Sequence, residues 1–321
     1  MSFIPSTRYL RSSDGARIYA EAVGDSQKPS LVFTHGVSLS AAIFDDLFRD
    51  ERLLDNFYLV RYDMRGHGRS DKPETMEGYQ SHLYADDFSA VVSAFDLVKP
   101  IFVGWSLGAT VVADICANIR PLPLAGAVFI SALPYIGPVM QSVGKPDILS
   151  VIPQMLPSST ASITEVKSLL ARFVDSCFND PDRVPFAVKT AWIGMTALQS
   201  PTVTGLVFSR PQDPAPLFEA GRKGLPLLCV CGAADPYVDG QAVVDEMRPH
   251  FPQLSAVSVA GGSHAVFYDQ REDVVQALLE FGKKIYGKRI TVTRKILVGK
   301  KIWSTRKKFS FDHVASSSPT R

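Results

Sequence analysis

Short apolar runs alternate along the chain with longer segments in which apolar residues recur at helical spacing. The runs are rich in β-branched and aromatic side chains and lie at residues 17–24, 30–36, 56–66, 100–106, 124–134, 225–235 and 253–262. The helical patterns lie between or after them, at 41–54, 81–98, 107–119 and 269–286. Near-continuous apolar strands separated by helices are typical of a parallel sheet covered on both faces. We therefore predict an α/β fold with a mostly parallel central sheet and helices on both faces.

Between residues 135 and 224 this alternation stops, and eleven of the 22 prolines lie between Pro134 and Pro216. Ser162 and Glu165 stand at capping-box spacing at the start of one helical pattern, and a second helix is predicted over 186–198. The first helix is expected to carry one apolar face made of Ile163, Val166, Leu170, Phe173, Val174 and Cys177. We interpret the segment as an inserted helical lid that packs mainly on the sheet domain.

The patterns divide the chain into four parts. Residues 1–134 and 225–287 form the two parts of the core, 135–224 form the lid, and 288–321 form a C-terminal tail. The tail holds ten Lys or Arg residues and one acid, Asp312. A segment this charged buries too little apolar area to offset its ordering entropy, so we expect it to be disordered or loosely packed. Apolar residues are interleaved with the basic ones in this tail. That pattern allows weak contact with an anionic membrane, which is the partner to consider there.

Composition places the protein among ordinary globular chains, with 46% hydrophobic and 21% charged residues. Its apolar runs are too short to span a membrane and its N-terminus lacks the apolar core of a secretory signal, so we expect a soluble, cytoplasmic protein. The body outside the tail is mildly acidic, which argues against nucleic-acid binding. All four cysteines lie in apolar segments and are expected to be free buried thiols. Cys229 and Cys231 are not followed by further ligands at zinc spacing, so no metal site is predicted.

A serine stands between two glycines, Gly104 and Gly108, where a predicted strand meets a predicted helix. The spacing of Ser106 and its glycines alone also fits an ordinary turn serine. In a strand–turn–helix context, however, the turn projects the hydroxyl above the carboxyl edge of the sheet, where open α/β sheets place ligands. The glycines then have a steric reason, because neighbouring chain leaves no room for a Cβ.

A serine hydroxyl becomes a nucleophile when a histidine removes its proton and an acid stabilises the imidazolium. His264 follows the last predicted strand and Asp235 the strand before it, so both are expected at the same sheet edge as Ser106. The order Ser, Asp, His is the one this architecture uses. His264 also fits a loop histidine and Asp235 a turn residue before Pro236, and Asp239 is the alternative acid.

The stretch "FTHGVSLS" after the strand at 30–34 is the candidate for an oxyanion hole. Its loop can aim the backbone N–H of Val37 at an oxygen that also meets the N–H of Leu107. His35 is expected to order this loop rather than to transfer protons. An ordinary turn at His35 and Gly36 is the alternative interpretation.

The segments "HGV", "YDMRGHGRSDKP", "VGWSLGA", "GAADPYV" and "GGSHAVF" together resemble the α/β-hydrolase fold superfamily, in the order that this family uses. The resemblance covers roughly residues 17–285. It implies that Ser106 is the nucleophile, Asp235 the acid and His264 the base, with Val37 and Leu107 as oxyanion donors. It implies no metal and no organic cofactor. The family's epoxide and haloalkane hydrolases carry an aspartate in place of Ser106, and "YDMRGHGRS" is a structural turn in this family.

We therefore expect a serine hydrolase that cleaves a carboxylic ester of a small hydrophobic or aromatic molecule through an acyl-enzyme. Its partner is that small-molecule substrate, and the sequence leaves the oligomeric state open. A thioesterase, a lactonase or a C–C bond hydrolase would use the same triad. An alternative interpretation, outside the class of enzymes, is a ligand receptor that retains the triad but turns over substrate slowly, if at all.

Overall fold

A computed structural model describes residues 5–156, 162–287 and 290. Its sheet has eight strands: β1 (Ser6–Arg11), β2 (Arg17–Val23), β3 (Ser30–Thr34), β4 (Tyr58–Tyr62), β5 (Ile101–Trp105), β6 (Gly126–Ile130), β7 (Leu227–Gly232) and β8 (Leu254–Val259). They lie in the order β1-β2-β4-β3-β5-β6-β7-β8, in which the pairs β1–β2 and β2–β4 are antiparallel and the pairs from β4 onward are parallel. The predicted fold class is confirmed.

Helices make up most of the remaining regular structure. They are α1 (Asp45–Phe48), α2 (Glu51–Leu54), α3 (Ser81–Ala94), α4 (Val111–Asn118), α5 (Val139–Val143), α6 (Pro146–Gln154), α7 (Ile163–Ser176), α8 (Phe186–Thr196), α9 (Pro201–Phe208), α10 (Ala215–Arg222), α11 (Gly240–Met247), α12 (Val266–Asp269) and α13 (Arg271–Tyr286). Every residue of β3, β4, β5, β6 and β7 is buried, which explains why their sequences are apolar without alternation.

Two features at the start of the chain differ from the sequence patterns. β1 was not predicted, because five of its six residues are exposed on the sheet edge and show no apolar periodicity. The expected helix over 41–54 is wrong as one element. It is a 3₁₀ turn, Ala41–Phe44, followed by α1 and α2, with the side chain of Asp50 accepting the Arg52 N–H to start α2. A capping acid inside an apolar pattern favours a new helix start over continuation.

The segment between β6 and β7 contains α5 to α10. α7 begins with the predicted capping box: Ser162 Oγ accepts the N–H of Glu165, whose carboxylate accepts the N–H of Ser162. Its buried face is formed by Leu169, Phe173 and Val174, whereas Ile163, predicted on that face, is 75% exposed. The predicted second helix is α8. The division of the chain at residues 135, 225 and 288 stays a prediction.

All four cysteines are buried and free, as predicted. Within the described ranges, no helix is long and apolar enough to cross a bilayer. The expectation for the basic tail falls on residues outside the described part of the chain, apart from Ile290. That residue is 2% exposed and belongs to the hydrophobic core, near Gly282 of α13.

Candidate active site

Ser106 follows β5 directly and is the first residue of a 3₁₀ turn, Ser106–Thr110, that leads into α4. Its backbone φ is 52°, in the left-handed region that residues other than glycine seldom adopt. Such strain persists only where the surroundings hold it, and it is concentrated at functional sites. The turn therefore has the sharp geometry that the sequence pattern predicted.

The two flanking glycines sit where a Cβ has no room. A Cβ on Gly104 would lie 2.3 Å from Ala109 Cα, and one on Gly108 would lie 2.6 Å from the carbonyl oxygens of Thr34 and His35. These neighbours are backbone atoms and cannot rotate away. The glycines thus let β5, the turn and β3 approach one another closely.

We predict that Gly104→Ala lowers the free energy of unfolding by about 3 kcal/mol or more, because the added methyl group overlaps the Ala109 backbone. The matched control is Gly194→Ala in α8, where an added Cβ meets nothing within 4 Å. That change should raise stability by about 0.5–1 kcal/mol, as alanine favours helix. Urea unfolding followed by circular dichroism measures both. Equal stability of the two variants would contradict the steric account of the turn.

The structure brings the predicted serine, histidine and aspartate together. His264 Nε2 lies 3.0 Å from Ser106 Oγ, and His264 Nδ1 lies 3.0 and 3.1 Å from the two carboxylate oxygens of Asp235. Asp235 comes from the loop after β7 and His264 from the loop after β8. Trp105 Nε1 donates to the His264 carbonyl at 2.9 Å, which fixes the histidine loop against β5.

Asp235 is held as a carboxylate. Burial alone would raise its pKa, but the imidazole of His264 and the N–H groups of Tyr237 and Val238 outweigh burial and lower the pKa below the ordinary value. The carboxylate therefore faces His264 Nδ1 in its ionised form. Asp239, the alternative acid, instead caps α11 by accepting the N–H groups of Gln241 and Ala242.

Val37 and Leu107 line the same cavity as Ser106 and His264. Leu107 is the second residue of the 3₁₀ turn, so its N–H has no acceptor within that turn. His35 donates from Nδ1 to the Gly36 carbonyl and accepts the Met64 N–H at Nε2. Burial lowers the pKa of His35, so it stays neutral and ties the Val37 loop to the chain after β4.

The cavity above Ser106 has a volume of about 60 Å³. Most of its wall is apolar and comes from the segment between β6 and β7 and from the loop after β7. These residues are Leu133, Met140, Val143, Ile148, Leu149, Ile152, Phe173, Phe208, Tyr237 and Val238. Sequence reasoning assigned none of them to a site, since apolar lining residues look like core residues in a sequence, and it predicted Phe173 only on the apolar face of the first lid helix.

A larger cavity of about 490 Å³ lies at the opposite edge of the sheet, where β5, β6 and β7 begin. Its wall includes Lys99, Arg120 and Lys223, and none of the residues grouped around Ser106. Within the described part of the chain, no cluster of three His, Cys, Asp or Glu side chains is arranged to hold a metal ion. The small apolar cavity is therefore the candidate active site.

The turn after β4, at residues 63–70, lies outside this cavity, and its side chains make structural contacts. Asp63 accepts the N–H groups of Ala41 and Arg69 as well as the Arg69 side chain. Arg65 is fully buried and pairs with Asp87 and Asp14. These contacts agree with leaving the turn out of the catalytic set.

Comparisons with known proteins identify hydrolases and esterases as similar to this chain. A family model described as "Alpha/beta hydrolase family" matches residues 31–277. The chain is 27% identical over 281 residues to a 2-(acetamidomethylene)succinate hydrolase of Mesorhizobium japonicum, covering 84% of this chain and 94% of that protein. The esterase RhEst1 from Rhodococcus sp. ECU1013 has a TM-score of 0.75 and 26% identity, covering 87% of this chain and 99% of that one. A putative aryl esterase from Burkholderia cenocepacia superposes with a TM-score of 0.78 at 24% identity, over 88% of this chain and 99% of that one.

Proposed function

Because the chain belongs to the alpha/beta hydrolase family, we propose that it is a serine esterase that cleaves an uncharged carboxylic ester through an acyl-enzyme. The observation that carries the proposal is the hydrogen-bonded series from Ser106 Oγ through His264 to the ionised Asp235, opening into an apolar cavity. The substrate is a small hydrophobic or aromatic ester, in keeping with the lining and size of that cavity.

In the first half of the reaction, His264 Nε2 takes the Ser106 proton as Oγ attacks the ester carbonyl. The N–H groups of Val37 and Leu107 stabilise the negative charge that develops on the carbonyl oxygen. The tetrahedral intermediate then collapses: the C–O bond to the alcohol breaks, and His264 gives its proton to the departing oxygen. An acyl group remains on Ser106.

In the second half, His264 takes a proton from water, whose oxygen attacks the acyl carbonyl. Collapse of the second tetrahedral intermediate releases the carboxylic acid and returns the proton to Ser106 Oγ. Asp235 keeps its negative charge throughout, holds Nδ1 in its protonated form and stabilises the imidazolium.

The lining supports an uncharged substrate over a charged one. Among the described residues that form the cavity wall, none is Lys, Arg, Asp or Glu. A carboxylate group brought into this cavity would lose its hydration without gaining a cationic partner. The relative from Mesorhizobium is named for a succinate derivative, and this cavity offers no cation for such a group.

The direct test is a panel of purified substrates: aryl acetate, butyrate and octanoate esters, a hemisuccinate ester, a thioester, a lactone and a β-diketone. The proposal predicts that the short uncharged aryl esters have the highest kcat/KM and that the hemisuccinate is poorest among the esters. Faster cleavage of the thioester, lactone or diketone would move the activity to that bond. A single burst of product without further turnover would favour a receptor that retains the triad.

We predict that Ile148→Ala widens the acyl range. Removing the side chain from the cavity wall makes room for about two methylene groups, which raises the kcat/KM ratio of butyrate to acetate ester by about tenfold. Ile163→Ala is the matched control, since Ile163 lies in the same insertion but is 75% exposed. An unchanged ratio for Ile148→Ala would show that α6 does not bound the acyl group.

A further inference from the structure

Arg210 is a charged side chain with only 1% of its surface exposed, and it belongs to the segment between α9 and α10. Its polar contacts, however, lie on the turn and helix that follow Ser106, and its guanidinium also packs on an aromatic ring of α3. Nη2 donates to Thr110 Oγ1 and lies 3.3 Å from Asp114 Oδ2, and the guanidinium carbon is 3.6 Å from the centre of the Tyr84 ring. A buried cation of this kind needs such partners, because it has given up its hydration.

The contact with Thr110 continues toward the site. Thr110 Oγ1 donates to the carbonyl oxygen of Leu107 at 2.7 Å, so its hydroxyl accepts from Arg210 and donates to the Leu107 residue in series. Gln212, two residues after Arg210, donates to the Thr110 carbonyl at 2.9 Å. The segment between α9 and α10 thus binds the 3₁₀ turn through both the hydroxyl and the backbone carbonyl of Thr110.

β3 also holds the turn, since Thr34 Oγ1 donates to the Gly108 carbonyl at 3.0 Å. The strained Ser106 and the Leu107 backbone belong to the same five-residue turn and directly precede these attachments. A displacement of Leu107 by a few tenths of an ångström would weaken its N–H as a donor to the tetrahedral intermediate, while the apolar cavity that binds the ester would change little.

We propose that Arg210 is a positioning residue that acts through Thr110 to fix the Leu107 backbone for stabilisation of the oxyanion. This inference rests on the esterase function proposed above. It assigns to the insertion a role in transition-state stabilisation in addition to forming the cavity wall.

The charge pair with Asp114 serves the same arrangement. Burial raises the pKa of Asp114 to about 6 even though the Arg210 charge acts to lower it. Asp114 lies in the first turn of α4, so its pairing with Arg210 keeps the guanidinium beside Thr110.

The test compares Arg210→Met, Arg210→Lys, Thr110→Val, Thr110→Ser and the double variant Arg210→Met with Thr110→Val, in the full chain. Removing the guanidinium or the Thr110 hydroxyl should lower kcat for an aryl acetate by about 10- to 100-fold, with KM within about twofold, because the lost interaction acts in the transition state. The double variant should lose no more than the worse single variant, since both residues act in one series. Thr110→Ser, which keeps the hydroxyl, should recover most of kcat. Thr190→Val on the exposed face of α8 is the matched control.

The rate of covalent labelling by a fluorophosphonate is measured beside turnover, since phosphonylation of Ser106 uses the same oxyanion donors. If the wild-type protein is labelled but does not turn over esters, the esterase proposal fails, and a slower labelling rate in Thr110→Val still supports the positioning role. Wild-type kcat and labelling rate in Arg210→Met or Thr110→Val, with only the thermal midpoint lowered, would overturn it. If Arg210→Met does not fold, Thr110→Val and Thr110→Ser decide alone.

Discussion

Ser106→Ala is expected to lower kcat for ester hydrolysis by about four to six orders of magnitude. The change removes the oxygen that forms the acyl-enzyme, so His264 is left without a nucleophile to activate. Only the small rate due to binding and to the donors at Val37 and Leu107 should remain. Alanine has no larger steric demand than serine at the left-handed φ of this position, so the fold is expected to persist.

The measurement is hydrolysis of an activated aryl acetate by protein whose circular dichroism and thermal midpoint match those of the wild type. Ser89→Ala is the matched control, because Ser89 Oγ donates to the Ala85 carbonyl within α3 and does not line the cavity. It should keep wild-type turnover. A Ser106→Ala protein that retains a tenth of the wild-type kcat would exclude Ser106 as the nucleophile.

Asp235→Asn is expected to cost about three to four orders of magnitude in kcat. The amide has nearly the same shape, but its NH₂ group favours the imidazole with Nδ1 unprotonated and the proton on Nε2. That tautomer cannot accept the Ser106 proton. Asp239→Asn is the control: asparagine also caps helices well, so α11 should persist and kcat should stay within about twofold of the wild type.

The pH dependence follows from the lowered pKa of Asp235. A carboxyl whose folded-state pKa lies below its unfolded value stabilises the native state above the unfolded value, and this contribution is lost as pH falls through the folded value. Stability should therefore fall less steeply in acid for Asp235→Asn than for the wild type. For the activity of these two variants, an inactive Asp239→Asn together with a fully active Asp235→Asn would contradict the assignment and make Asp239 the catalytic acid.

The sheet and the candidate triad could be predicted because each depends on local sequence. A strand buried on both faces must be apolar throughout, and a turn as close as that of Ser106 requires glycine at 104 and 108. The loops that carry Asp235 and His264 follow from the rule that parallel strands end at one edge. These constraints act over a few residues and are visible in one sequence.

Other parts depend on contacts between distant residues. β1 is mostly exposed at the edge of the sheet, where it pairs with β2, so its sequence carries no apolar signal. The lining of the cavity uses the same apolar residue types as the core. Nothing in the sequence around Arg210 shows that its side chain is buried against Thr110, which lies 100 residues earlier in the chain. From the sequence alone, an arginine in a proline-rich segment is expected at the surface, and only the fold shows that this one is buried.

The two proposals assign separable effects to the segment between β6 and β7. Ile148 and its neighbours line the cavity and are proposed to limit the size of the acyl group, whereas Arg210 and Gln212 bind the turn that carries Leu107. Variants of the first group should change the selectivity among esters, and variants of the second should change kcat for all esters alike. Kinetics on one ester series can therefore distinguish them.

The most direct test of the central claim is to trap the acyl-enzyme. The protein is mixed with an aryl ester, quenched in acid within the first turnovers, and analysed by intact mass and by fragmentation of its peptides. We expect one acyl adduct per chain, located on Ser106, formed by the wild type and by Asp239→Asn but absent from Ser106→Ala. An adduct on another residue would contradict the role of Ser106, as would turnover of the ester with no adduct under conditions that make adduct breakdown slow.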